Sequence, residues 1–194
     1  MPQVSLHDMV NALTNAPTLV SFPTDTVPAL AARAEHAALI YAAKQRPPEK
    51  PLILMGASLE DLLPYIEGTF REIETWKSQT QKHWPGQLTL VLPASDRTPA
   101  NLNPTNTGTL GIRVPDHPIA LQLLKQTGPL ATTSTNRSGH PPLTTAAAID
   151  QAFPNALTLA PEHYSASATS GQPSTVAKWT SPGWQILRQG KVQL

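Results

Sequence analysis

For most of this chain, short apolar runs alternate with helix-patterned segments, and then short apolar runs follow one another. Strands joined through helices come to lie in one sheet with those helices packed on it, whereas successive strands add to the sheet directly. The order therefore predicts an α/β fold built on a mixed sheet. Prolines mark the joints. The 21 prolines are spread along the chain at the ends of apolar segments, so they read as turn markers and not as a proline-rich linker. With no internal repeat and no shift in composition, the expectation is one domain over residues 1–194.

Individual segments follow from spacing and caps. Leu6, Met9, Val10 and Leu13 have helical spacing, with Ser5 as cap. Residues 18–22 read as a buried strand, and a further apolar stretch follows the PTDT turn. Residues 36–45 are alanine-rich and helical, stopped by Pro47 and Pro48. Residues 51–55 form a short strand; residues 69–82 form a helix opened by a Thr69/Glu72 capping box. WPG at 84–86 is a turn before the strand LTLVL. Strands are expected over 109–114 and 130–134, with helices over 117–126 and 145–153 and a loop over 136–142. The tail reads as strands near 157–160, 174–179 and 184–189, with SPG at 181–183 as a hairpin turn.

Composition narrows the function classes. Hydrophobic residues make up 40% and charged residues 14%, which describes a compact globular chain. A net charge of +1 gives no overall nucleic-acid signal, so any basic site must be a local cluster. The absence of cysteine excludes disulfides and cysteine-held metal. No signal-peptide pattern is present, and no apolar run reaches the roughly 18 residues of a membrane helix, so a soluble, cytoplasmic protein is expected. The six histidines lack metal-binding spacing and are expected mostly at the surface or in turns, with no protein-bound metal. The four tryptophans read as packing residues. Neither GxxxxGK[ST], nor GxGxxG after a strand, nor GxSxG is present.

Candidate chemistry lies at five places. KQRPPEK places Lys44, Arg46 and Lys50 at the end of a helix and in a proline turn. Three cations that close repel one another unless an anion is present, although helix-dipole stabilisation is the other reading. TSTNRSG, 133–139, follows a strand with small hydroxyls, an amide and a glycine; it suits a polar ligand at a strand end or an ordinary turn. Arg113 lies inside an apolar strand, where burial would demand an anionic partner, protein or ligand. Arg188 poses the same question. SFPTDTVPAL, 21–30, sets Thr24, Asp25 and Thr26 between two apolar stretches, as a loop or as the wall of a pocket.

Taken together, these segments resemble the YrdC/TsaC family, the threonylcarbamoyl-AMP synthases, in its short single-domain bacterial form. The resemblance rests on PTDT (23–26), KQRPPEKPLILM (44–55), WPGQLTLVLPA (84–94), RVPDHP (113–118), TSTNRSGHPP (133–142), STV (174–176) and LRQG (187–190). It implies a twisted open mixed sheet with helices packed on it and a basic concave cleft. It also implies a reaction of L-threonine, bicarbonate and ATP giving threonylcarbamoyl-AMP and pyrophosphate. A downstream transferase complex then completes threonylcarbamoyladenosine on tRNA, and a tRNA or RNA contact by this chain is left open. Mg²⁺ is expected only through the phosphates of ATP. The resemblance assigns Lys44 and Arg46 to catalysis and Arg46, Lys50, Thr109, Asn136, Thr144 and Arg188 to ATP. It assigns Thr26, Arg113, Ser134 and Ser174 to threonine, with Thr24 to Thr26 as the lip of the pocket.

The chain departs from the family pattern at Pro28 and Ala29, where an aromatic residue and glycine are usual, at Met55, where many members have histidine, and at Lys178, where an acid is common. The link from PTDT to the Lys-x-Arg motif is also shorter. Two other readings share the fold: an RNA-binding or ribosome-maturation module, and a carbamoyl-adenylate enzyme with another substrate. Near-neutral charge argues against the first.

Overall fold

A computed structural model describes residues 3–137, 139–164, 170–181 and 183–194. Ser138 of the 136–142 loop and Pro182 of the SPG turn lie outside them. The described strands are β1 (Gln3–Val4), β2 (Leu19–Phe22), β3 (Ala29–Arg33), β4 (Ile53–Met55), β5 (Leu88–Pro93), β6 (Thr109–Arg113), β7 (Leu130–Ser134), β8 (Ala156–Leu159), β9 (Thr175–Trp179) and β10 (Trp184–Arg188). The helices are α1 (Leu6–Asn15), α2 (Ala38–Lys44), α3 (Leu59–Leu62), α4 (Phe70–His83), α5 (Pro118–Thr127) and α6 (Ala146–Ala152).

The strands form one open sheet in the order β1-β8-β2-β3-β7-β4-β6-β5-β9-β10. It is mixed, as expected. β8 runs parallel to β1 and β2, β4 to β6, and β5 to β9. β3 runs antiparallel to β2 and β7, β7 to β4, β6 to β5, and β10 to β9. β3 is the apolar stretch after the PTDT turn. Its sequence, ALAAR, is poor in the branched residues that favour strands, yet it is paired on both edges and buried on both faces.

Side chains alternate across the sheet, and two cores follow. Ala29, Ala31, Val20, Phe22 and Met55 point to one face and pack with Met9 and Leu13 of α1 and Ala120, Leu123 and Leu124 of α5. Leu30, Ala32, Leu54, Leu90 and Ile112 point to the other and pack with Ile40 of α2, Leu62 of α3, Trp76 of α4 and Ile149 of α6. The caps explain the helix starts: Ser5 accepts from the Asp8 backbone, and Thr69 and Glu72 form the expected capping box. α3, which opens with a Ser58/Asp61 capping box, is an addition to the elements expected. α2 ends where Gln45 turns left-handed (φ 50°), two residues before Pro47. Trp179 packs edge-on against both Trp76 and Trp184, at centroid distances of 6.2 and 5.1 Å. His117 is an exception to the expected histidine positions: it is buried at the start of α5.

Candidate functional site

The site lies on the face of the sheet that α1 and α5 pack against, where Ala29 and Met55 belong both to that core and to the wall of a cavity. Register places its residues together: Ile53 lies opposite Gly111 and Thr132, Met55 opposite Arg113, and Ala29 opposite Ser134. The Thr24–Pro28 turn closes one side and Pro173 with Ser174 another, and Arg46 and Arg188 complete the wall of a cavity of about 160 Å³. Thr26, Arg46, Arg113, Ser134, Ser174 and Arg188, far apart in the chain, therefore share one cavity.

Arg113 is buried, and protein groups already answer its need for an anion. Its Nε donates to the Gly86 carbonyl at 3.0 Å, Nη1 to Thr26 Oγ1 at 2.9 Å and Nη2 to Asp25 Oδ1 at 2.6 Å. Burial pushes the guanidinium pKa down, the Asp25 charge pushes it back up, and Arg188 adds like-charge repulsion. Three of the five N–H donors are thus engaged.

The hydroxyls around it are similarly constrained. Thr24 Oγ1 donates to the Val27 carbonyl at 2.7 Å and lies 3.0 Å from Thr26 Oγ1. A hydroxyl has one proton, so in that pair Thr26 donates and Thr24 accepts. Thr26 also accepts from Arg113, which leaves it one lone pair to receive a donor from a ligand. Ser174 Oγ lies 2.8 Å from Thr89 Oγ1 and accepts from Arg188 Nη2 at 3.2 Å, while Arg188 Nε donates to the Ser174 carbonyl at 3.0 Å. Burial pushes the Arg188 pKa down. Pro28 lacks an N–H, but its carbonyl accepts from the Thr135 backbone at 3.0 Å and lies 3.1 Å from the Thr135 hydroxyl, whose single proton it shares with the Leu143 carbonyl at 3.1 Å.

Arg46 is oriented by the proline turn. Its Nε donates to the Lys50 carbonyl at 2.8 Å and Nη2 to the Pro51 carbonyl at 2.9 Å, leaving three N–H groups for a ligand. Burial pushes its pKa down. Lys44 lies beneath the cavity wall. Its ammonium donates to Thr133 Oγ1 and Asn136 Oδ1, each at 3.3 Å, and to the Ser134 carbonyl, so all three protons are used within the protein. Burial, with repulsion from Arg46, lowers its pKa to about 7. Ser134 Oγ also donates to Asn136 Oδ1. Lys44 thereby ties the end of α2 to the turn after β7.

The remaining candidates lie off the cavity wall. Lys50 is exposed in the proline turn and Thr144 is exposed before α6. Asn136 is half-buried behind Ser134, and Thr109 is half-buried at the start of β6 with its hydroxyl 3.1 Å from that of Thr107. The resemblance put Asp25 only within the lip of the pocket, with no partner named for it, and gave Gly86, Gln87 and Thr89 no role. An arginine within an apolar strand signals a buried acid somewhere; Asp25 is that acid. Among the described residues no group of three His, Cys, Asp or Glu side chains is placed to hold a metal ion, and no helix is long and apolar enough to cross a membrane.

The open α/β sheet thus carries one cavity lined by three arginines, Arg46, Arg113 and Arg188, and by hydroxyl side chains. Residues 13–190 match the Sua5/YciO/YrdC family model, described as "Telomere recombination", and the chain belongs to this family. It is 41% identical over 140 residues to a threonylcarbamoyl-AMP synthase of Bacillus subtilis, covering 67% of this chain and 38% of that relative. It is 33% identical over 190 residues to a threonylcarbamoyl-AMP synthase of Vibrio cholerae, covering 96% and 97%. Among solved structures, P. abyssi Sua5 complexed with L-threonine superposes with a TM-score of 0.80 at 31% identity, covering 96% of this chain and 55% of that one. The chain thus spans well under two thirds of the first and third of these relatives and nearly all of the second.

Proposed function

We propose that this chain is a threonylcarbamoyl-AMP synthase, making that adenylate and pyrophosphate from L-threonine, bicarbonate and ATP. The observation that carries the reading is the cavity itself, lined by Arg46, Arg113 and Arg188 together with Thr26, Ser134 and Ser174, in a chain whose relatives bear that activity. At about 160 Å³ the cavity falls short of the roughly 300–1,000 Å³ of a drug-sized pocket, so it suits one amino acid, with ATP reaching in from the mouth.

In this reading Arg113 takes the threonine carboxylate with its two remaining N–H groups, since a planar fork matches a carboxylate. The lone pair left on Thr26 receives the substrate amine or hydroxyl, and Ser134 and Ser174 close the pocket. Threonine's amine and bicarbonate form a carbamate with loss of water, and a carbamate oxygen then attacks the α-phosphate of ATP as pyrophosphate leaves. Two anions must meet, so fixed cations lower the barrier. Arg46 and Arg188 supply that charge at the cavity, with Lys50, Thr109, Asn136 and Thr144 on the outer nucleotide. Lys44 acts by holding Ser134 and Asn136 in place beside the phosphates. The cavity's donors are cationic and hydroxylic, and Asp25 is engaged by Arg113; Mg²⁺ therefore arrives on the ATP phosphates. Catalysis is by positioning and electrostatics, without a covalent enzyme intermediate. A single-domain, cytoplasmic enzyme handing its adenylate to a tRNA-modifying transferase completes the reading.

The test is product identification. With ATP, L-threonine and isotope-labelled bicarbonate, mass spectrometry should find the label in a threonine-containing adenylate; an adenylate without threonine, or none, would overturn the reading.

A further inference from the structure

Asp25 has no part in the chemistry set out above, yet its side chain is only 7% exposed. A buried carboxylate is costly unless a charge answers it, and Arg113, 6% exposed, answers it at 2.6 Å. Its second oxygen, Oδ2, is buried and takes no hydrogen bond from the described residues. The pair sits at the edge of the cavity that Arg113 lines and Asp25 does not.

The geometry around the pair is specific. The guanidinium is held at three points that fix both its plane and its rotation: Gly86 O on Nε, Thr26 Oγ1 on Nη1 and Asp25 Oδ1 on Nη2. Two N–H groups remain, one on each terminal nitrogen. Asp25 also acts through its backbone. Its carbonyl accepts from Gln87 Nε2 at 3.1 Å and from the Ser170 backbone at 2.9 Å, and the next carbonyl, of Thr26, accepts from the Gly171 backbone at 3.0 Å. One short turn therefore fixes the arginine, presents the Thr26 hydroxyl and anchors the stretch that leads to Ser174.

We propose that Asp25 is a positioning residue for the amino-acid pocket, holding Arg113 so that its two remaining N–H groups meet the substrate carboxylate. The inference rests on the reading that Arg113 binds that carboxylate. Asp25 also answers the charge of Arg113 when the cavity is empty, so that Arg113, near the like-charged Arg188, is not left without an anion.

The experiment is calorimetric titration of L-threonine, and separately of ATP, into wild type, Asp25→Asn, Arg113→Ala and the double variant. Asp25→Asn should weaken threonine by about tenfold or more, the scale of one lost charge-assisted hydrogen bond, and leave ATP within about twofold. The double variant should bind threonine no more weakly than Arg113→Ala alone, because Asp25 acts through Arg113. Threonine affinity within about twofold of wild type in Asp25→Asn, or losses that multiply in the double variant, would overturn the inference while leaving the substrate reading intact. A wild type that does not bind threonine would overturn both. Wild-type nitrogen-15 NMR gives a readout that requires no variant to fold. The terminal N–H signals of Arg113 should be separately resolved through hindered rotation, and a single averaged signal would overturn the inference.

Discussion

Gly190, at the end of the LRQG stretch, has no room for a side chain. A Cβ there would lie 2.5 Å from the Thr175 nitrogen, 2.7 Å from the Pro173 carbonyl oxygen and 2.8 Å from the Ser174 carbonyl carbon. All three are backbone atoms, so no rotamer change relieves the clash, and Gly190→Ala must push the 173–175 backbone away. The same backbone carries Ser174 and Pro173 on the cavity wall, and the Gly190 N–H donates to Thr175 Oγ1 at 2.9 Å. Overpacking of this kind costs about 1–3 kcal/mol, more than the roughly 0.4–1 kcal/mol that alanine contributes by restricting the unfolded chain. At about 2–4 °C per kcal/mol for a chain of this size, the mid-range net loss of about 1.3 kcal/mol lowers the Tm by about 3–5 °C. Because Ser174 moves with it, threonine affinity should fall while ATP affinity changes less. Thermal denaturation followed by calorimetry checks both parts. A variant that melts within about 1 °C of wild type and binds threonine unchanged would refute the reasoning.

Arg46→Ala removes a cation from the cavity wall and should cut pyrophosphate release by about a hundredfold or more; turnover near wild type would remove Arg46 from the phosphates. Thr26→Val deletes the acceptor of Arg113 Nη1 and the donor to Thr24, so threonine binding should weaken more than ATP binding, and calorimetry showing the reverse would contradict the placement. Lys44, lowered to about 7 in the fold from 10.5, binds fewer protons there than in the unfolded chain between those values. Its contribution is therefore complete above the unfolded pKa and is lost as pH falls through about 7, so stability should rise with pH across that window. Lys44→Met should flatten the rise, and identical Tm-versus-pH slopes would exclude the effect.

Much of the fold was legible because local chemistry and tertiary structure agree. LTLVL and LATTS have the composition of buried strands and become β5 and β7, and the Thr69/Glu72 box opens α4 where its spacing says. β3 was hidden because alanine carries no strand preference; ALAAR is extended because β2 and β7 pair with its two edges. The site was legible in part for a similar reason. An arginine in the apolar strand GIRVP announces a buried anion, but Asp25 lies 88 residues away, and only the sheet order brings it near. Lys44 reads as a free cation in KQRPPEK, whereas its acceptors come from β7 and the turn after it, 89 to 92 residues on. Pro28 reads as an oddity in a familiar turn; its structural role, a carbonyl held by Thr135, depends on a residue 107 positions later.

The central claim is that one arginine-lined cavity couples an amino acid to the α-phosphate of ATP. Pyrophosphate release, measured with each of L-threonine and bicarbonate omitted in turn, tests it most directly. The account predicts release only when threonine, bicarbonate and ATP are all present. Release that is indifferent to threonine, or none with all three present, would contradict it.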